Sequence, residues 1–191
     1  ARRENILQEI AEDIKSKYAV NVLIMSMDVQ NYEDVKSKIE SLDDRWNKID
    51  ILLNNAGLAR GLSTVQDGSV QDWNEMIDTN VKGLLFVSKC IIPLMLKKDS
   101  GHIINIGSIA GREVYPMGNV YCASKHAVDA ITKSMRMELV NTGIKVTTID
   151  PGLVETDFSL VRYRGDAEKA KTTYKGLTPL TPEDIAESIL F

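Results

Sequence analysis

The apolar positions of the chain change period several times, and each change marks an element. Ile6, Leu7, Ile10, Ala11 and Ile14 recur at helical spacing, which predicts an amphipathic helix over roughly 3–17. VNVLIMSMDV (20–29) is a continuous apolar run rich in branched residues, the pattern of a buried strand. Asn31 can cap a new helix, with Asp34 in its first turn and Val35, Ile39, Leu42 and Trp46 along one face. IDILLN (49–54) is a second buried strand. Ser69 starts a long helix reaching about Lys98, and HIINIGS (102–108) is a third strand. A helix over about 119–141 ends at Gly143, and IKVTTID (144–150) is a fourth strand. After a long irregular segment, Thr181-Pro182-Glu183-Asp184 supplies a cap residue and a first-turn proline for a last helix.

Strands that alternate with helices and stay apolar along their length predict an α/β fold, a doubly wound, Rossmann-like parallel sheet covered on both faces. Ligands of such sheets sit at the carboxyl ends of the strands. Each predicted strand here exits into small and polar residues: MDVQN, NNAG, GSIAG and DPGLVET. Turn geometry alone explains any one such exit. Four together point to a backbone shaped around a ligand.

Composition narrows the function classes. The 191 residues suffice for one domain with a sizeable core. A net charge of -4 and a pI near 5.3 give no bulk attraction to nucleic acid or an anionic membrane. The two cysteines, Cys90 and Cys122, form no CxxC and suggest a reducing compartment, the cytoplasm by default. The two histidines lie far apart, so no metal site is expected. The longest apolar stretch, GLLFVSKCIIPLML, is interrupted by Lys89 and Pro93 and is read as too short to span a bilayer.

Residues 121–125, YCASK, carry the sharpest chemistry. Positions four apart share a helix face, so Tyr121 and Lys125 point the same way near a helix start. A free phenol titrates near 10, and an adjacent ammonium together with the helix N-terminus is expected to lower that value. A tyrosine tuned this way can exchange a proton with an alcohol or alkoxide. Alone, YxxxK reads better as a surface pair. Ser108 lies 13 residues earlier, at the end of the third strand, where its hydroxyl can converge with the phenol and hold a carbonyl oxygen. Asn80 sits inside the long helix, in DTNVKG, where a buried amide needs a break in the backbone or another partner.

Asn80, Ser108, Tyr121 and Lys125, with NNAG (54–57) and DPGLVET (150–156), resemble the short-chain dehydrogenase/reductase pattern over nearly the whole chain. The resemblance implies a catalytic tetrad. Tyr121 would be the acid/base, and Lys125 would lower its pKa and hold the nicotinamide ribose. Ser108 would orient the substrate carbonyl, and Asn80 would hold a water that relays protons. It further implies cofactor contacts at Asp28 and Val29, at Asn54, Ala56 and Gly57, and at Pro151, Gly152, Val154 and Thr156. Arg2 and Arg3 stand where NAD enzymes carry an acid, and arginine suits a 2'-phosphate, so NADP is the expected cofactor.

GSIAGREVYPMGNVYCASK and PGLVETDFSLVRYRG are most similar to the branch of NADP-dependent 3-hydroxy acid dehydrogenases, acting on serine, allo-threonine and related acids. Such substrates carry a carboxylate, which makes Arg112, Arg162 and Arg164 candidate substrate contacts. Asp150, just before Pro-Gly, has no evident role. 3-Ketoacyl, sugar or diketone substrates remain alternatives. So does a non-catalytic fragment, because the sequence is expected to lack the N-terminal glycine-rich strand-turn-helix and the last strand of a single domain over 1–191. The resemblance also implies a homo-oligomer, a tetramer, built on the long helices, with Leu84, Val87, Ile91, Ile131 and Met135 as candidate interface residues.

Overall fold

The computed structural model describes residues 1–191. Its centre is a parallel sheet in the order β1 (Ile51–Asn54), β2 (Gly101–Ile106), β3 (Ile144–Ile149). Around it come α1 (Glu4–Lys17), α2 (Tyr32–Glu40), α3 (Val70–Ile77), α4 (Leu84–Lys98), α5 (Asn119–Glu138), α6 (Phe158–Arg162), α7 (Ala167–Thr172) and α8 (Pro182–Leu190). A π-helical turn, Asp78–Gly83, joins α3 to α4.

Capping side chains start the helices where the sequence predicts. Asn31 accepts from the amide of Asp34, Ser69 from Asp72, and Thr181 from Asp184 in a reciprocal capping box. Register then orders the sheet. Leu53 pairs with Ile104 and Asn54 with Asn105 across β1 and β2, and Ile103 with Val146 across β2 and β3. Ile103, Ile144 and Val146 pack with Leu84, Ile91 and Met95 of α4 and with Val128 and Met135 of α5. Alternate residues of β1 meet no such cover: Ile51 and Leu53 are exposed, so the sheet is fully covered on one face only.

Three expectations need correction. VNVLIMSMDV is not a strand. No strand pairs with it, its amide at Met27 bonds to the carbonyl of Ala1, and Val20 and Leu23 are exposed. Without a ladder partner, β propensity gives extended chain only. Helix α5 stops at Glu138, before Gly143, whose missing side chain instead lets Asp99 O approach: a Cβ there would lie 2.0 Å from it. The assembly over 70–98 is also long and apolar enough to cross a membrane, contrary to the expectation, but Leu84, Ile91 and Met95 are spent on the core.

Candidate active site

Four segments meet at the carboxyl end of the sheet: the loop after β1, the π turn, the turn after β2 that leads into α5, and the strap that follows β3. The π turn exists around Asn80, which is 2% exposed. Its Oδ1 accepts from the Leu58 amide at 2.8 Å, and its Nδ2 donates to Leu58 O at 2.8 Å and to Ser124 Oγ at 3.0 Å. The irregular turn thus delivers a helix-borne amide to the NNAG loop and to α5 together. A π-bulge inside a helix is a common accompaniment of function. A second amide pair lies deeper. Asn54 Nδ2 donates to Ser88 Oγ and Asn105 Oδ1, and Asn105 Nδ2 donates to Thr132 Oγ1. Asn54 is therefore framework, and the next residue, Asn55, lines the groove.

Lys125 is 6% exposed, and its ammonium donates to Ile106 O at 2.8 Å. Burial lowers its pKa to about 8, against which the charge of Asp150 acts. A Cβ on Gly57 would stand 3.5 Å from Lys125 Nζ, so the ammonium reaches the wall of the groove beside that glycine.

Tyr121, one turn before Lys125, opens on the other side into a cavity of about 440 Å³ shared with Ser108, Tyr115, Phe158, Arg162 and Thr173. Gly118 makes room at the start of α5 for the Tyr115 ring, which a Cβ would meet at 2.2 Å. The phenol of Tyr121 runs against expectation: its pKa is raised, because burial outweighs the lowering by the nearby Ser108 hydroxyl and the Arg162 charge. The phenolate loses more hydration in this pocket than its neighbours restore. Ser108 is 8% exposed and also caps the following turn, accepting from the Ala110 amide at 3.1 Å.

A larger groove of about 710 Å³ runs past Arg2, Arg3, Asp28, Val29, Ala56 and Gly57. Arg2 lies 3.7 Å from Asp28 in an exposed ion pair, with its side chain 60% exposed. The residues present fit an NADP molecule: a wall that includes Gly57, a buried ammonium beside that glycine and two arginines in the lining. Pro151 fixes the sheet end through its carbonyl, which accepts from the Ile109 amide. Gly152 and Val154 line the Tyr121 cavity, and Thr156 caps the strap by accepting from Phe158 N.

The three candidate substrate arginines separate. Arg112 is held by Asp150 at 2.7 Å and Asp129 at 2.8 Å, and Thr148 donates to the same Asp150 carboxylate. That accounts for Asp150: it ties the turn after β2 to the end of β3. Arg164 pairs with Asp72 on α3. Arg162 is 9% exposed, makes no ion pair, and leaves its Nε buried without a partner. Its guanidinium lies 5.2 Å from the centre of the Tyr121 ring and 5.8 Å from those of Tyr115 and Phe158, and it donates to Tyr115 Oη.

Sequence reasoning passed over the clamp that holds this arginine in place. Arg60 pairs with Glu75 at 2.6 Å and donates to Val161 O, and the Gly61 amide donates to Arg162 O at 2.9 Å. It also passed over Tyr115, Thr173 and Tyr174, whose places depend on long-range packing that no local pattern announces.

A family model described as short chain dehydrogenase matches residues 1–165. The NADP-dependent 3-hydroxy acid dehydrogenase of Schizosaccharomyces pombe is 47% identical over 191 residues, all of this chain and 74% of that protein. The NADP-dependent 3-hydroxy acid dehydrogenase YdfG of Salmonella typhi is 46% identical over 182 residues, 95% of this chain and 73% of that one. Among solved structures, the closed form of serine dehydrogenase complexed with NADP+ superposes with a TM-score of 0.93 at 44% identity, covering 99% of this chain and 75% of that one.

Proposed function

Because the chain belongs to the short-chain dehydrogenase family, we propose that it is an NADP-dependent oxidoreductase acting on small 3-hydroxy acids. Arg162 carries the substrate class: a buried guanidinium with no carboxylate partner, in the cavity that contains Tyr121 and Ser108. A cation left unpaired in a desolvated pocket is costly unless an anion joins it. A carboxylate on Arg162 would leave the substrate's other end for the two hydroxyls.

NADP, when bound, exchanges a hydride with the substrate's hydroxyl-bearing carbon. Tyr121 exchanges the proton on the attached oxygen, giving it in reduction and taking it in oxidation. Ser108 holds that oxygen in line. Lys125 reaches the cofactor groove beside Gly57 with donor capacity beyond its bond to Ile106 O. Asn80 has both amide protons committed to Leu58 and Ser124, so it serves by fixing those two segments; a relay water would find only the second lone pair of Oδ1. Arg112 and Arg164, each held by a carboxylate, are framework rather than substrate contacts in this reading.

We further propose a cytoplasmic homotetramer. Both thiols are free, which suits a reducing compartment. Of the candidate interface residues, Leu84, Ile91 and Met135 are core, and Val87 and Ile131 pack against it. The available apolar surface on these helices is Leu85, Leu96 and Met137.

The test is a panel of L-serine, L-allo-threonine and 3-hydroxybutyrate with NADP+, compared with neutral alcohols of equal size. The wild type should favour the acids, and Arg162→Met should lower kcat/KM for them by about a hundredfold, as expected for truncating one partner of a buried charge pair, while sparing the alcohols. Equal losses on acids and alcohols would refute the assignment.

A further inference from the structure

A second buried atom, on a residue that lines the Tyr121 cavity, resembles Arg162 Nε in lacking a partner. The hydroxyl of Thr173 is buried and makes no hydrogen bond. Other threonines follow the usual rule. Thr172 Oγ1 donates to Lys169 O at 2.7 Å, Thr132 Oγ1 to Val128 O, and Thr142 Oγ1 to Leu139 O, each satisfied by its own backbone turn. Thr173, just past the end of α7, does not fold back in this way, and its residue lines the cavity with Ser108, Tyr121 and Arg162. Buried polar atoms without partners are rare in native proteins.

The strap holds Thr173 in that position. Tyr174 Oη donates to Val154 O at 2.9 Å and accepts from Ser159 Oγ at 2.8 Å, stapling the end of α7 to the segment after β3 and to α6. Beyond it, the Leu180 amide donates to Leu153 O, and the Glu155 amide to Leu180 O. With the chain fixed on both sides, the backbone at Thr173 cannot leave the cavity wall without breaking these bonds.

We propose that Thr173 is a specificity-determining contact that, together with Arg162 Nε, receives the anionic end of the substrate. The inference rests on the hydroxy-acid reading and deepens it. Arg162 and Thr173 come from α6 and from the end of α7, so an anion shared between them closes the strap over the hydride-transfer site. Both groups are donors here, which fits a carboxylate and gives no preference for an added ammonium group.

The test is Thr173→Val, which keeps the shape and removes the hydroxyl. For 3-hydroxybutyrate, KM should rise about three- to tenfold with kcat within twofold, the usual worth of one such hydrogen bond. For 3-hydroxybutyramide, kcat/KM should not change. The melting temperature of the ligand-free variant should hold or rise, because an unsatisfied buried hydroxyl is gone; a structural role would lower it. Thr173→Ser should restore KM. Calorimetric titration of the NADPH-bound protein with malonate, which does not react, should show the same three- to tenfold loss in Thr173→Val, and in Thr173→Ala if the valine variant does not fold. This arm reads the contact even if 3-hydroxybutyrate is not turned over, an outcome that would sink the substrate reading instead. Unchanged KM and malonate affinity, or equal losses for acid and amide, would overturn the proposal.

Discussion

The floor and the roof of the site treat polar atoms in opposite ways. In the floor, where the NNAG loop, the π turn and α5 meet, the side-chain amides of Asn54, Asn80 and Asn105 are bonded to other protein groups. In the roof, Arg162 Nε and Thr173 Oγ1 are buried and bonded to nothing. The floor is finished by folding, and in the proposed reading the roof is finished by a ligand. A buried polar group is tolerated when it is satisfied, and the two unsatisfied atoms on cavity-lining residues are the ones the proposal gives to the substrate's polar groups.

The sharpest way to break this contrast is at Tyr121, where floor and roof meet. Tyr121→Phe should lower kcat by about a thousandfold, since it removes the proposed general acid/base, while leaving the Kd of NADPH within a fewfold. A variant that retained near-normal turnover would move the chemistry elsewhere. Asn80→Ala attacks the floor alone. It strands the Leu58 amide and carbonyl and Ser124, and should destabilise the protein by about 2–4 kcal/mol, read by urea unfolding. A cost below about 0.5 kcal/mol would mean that the floor is not the rigid half.

The smallest effect is on pH dependence. Lys125 titrates at about 8 in the folded chain, below its ordinary value of 10.5, so the unfolded state binds more protons between those limits. Stability should therefore rise with pH through that window, by at most about 1.4 kcal/mol per pH unit from this group. Lys125→Met should flatten that rise in urea unfolding followed from pH 7.5 to 10. An identical slope in both proteins would show that the ammonium is not buried as described.

Sequence pattern carried the helix starts well. Asn31, Ser69 and Thr181 each cap the helix they were expected to cap, because a cap is a local bond between residues three apart. The strand over 20–29 failed for the opposite reason: a strand exists only when a neighbour supplies its ladder. The Tyr121 pKa failed likewise, because the spacing to Lys125 was visible and the depth of burial was not.

What the sequence determined by itself is the set of short-range relations: periodicity, caps, and the one-turn spacing of Tyr121 and Lys125. Tertiary structure decided which of three similar arginines stays unpaired. Asp150 and Asp129 hold Arg112, Asp72 holds Arg164, and of the three only Arg162 lines the Tyr121 cavity. Those partners lie 17 to 92 residues away along the chain, and which charge finds which depends on how the strap packs over the sheet.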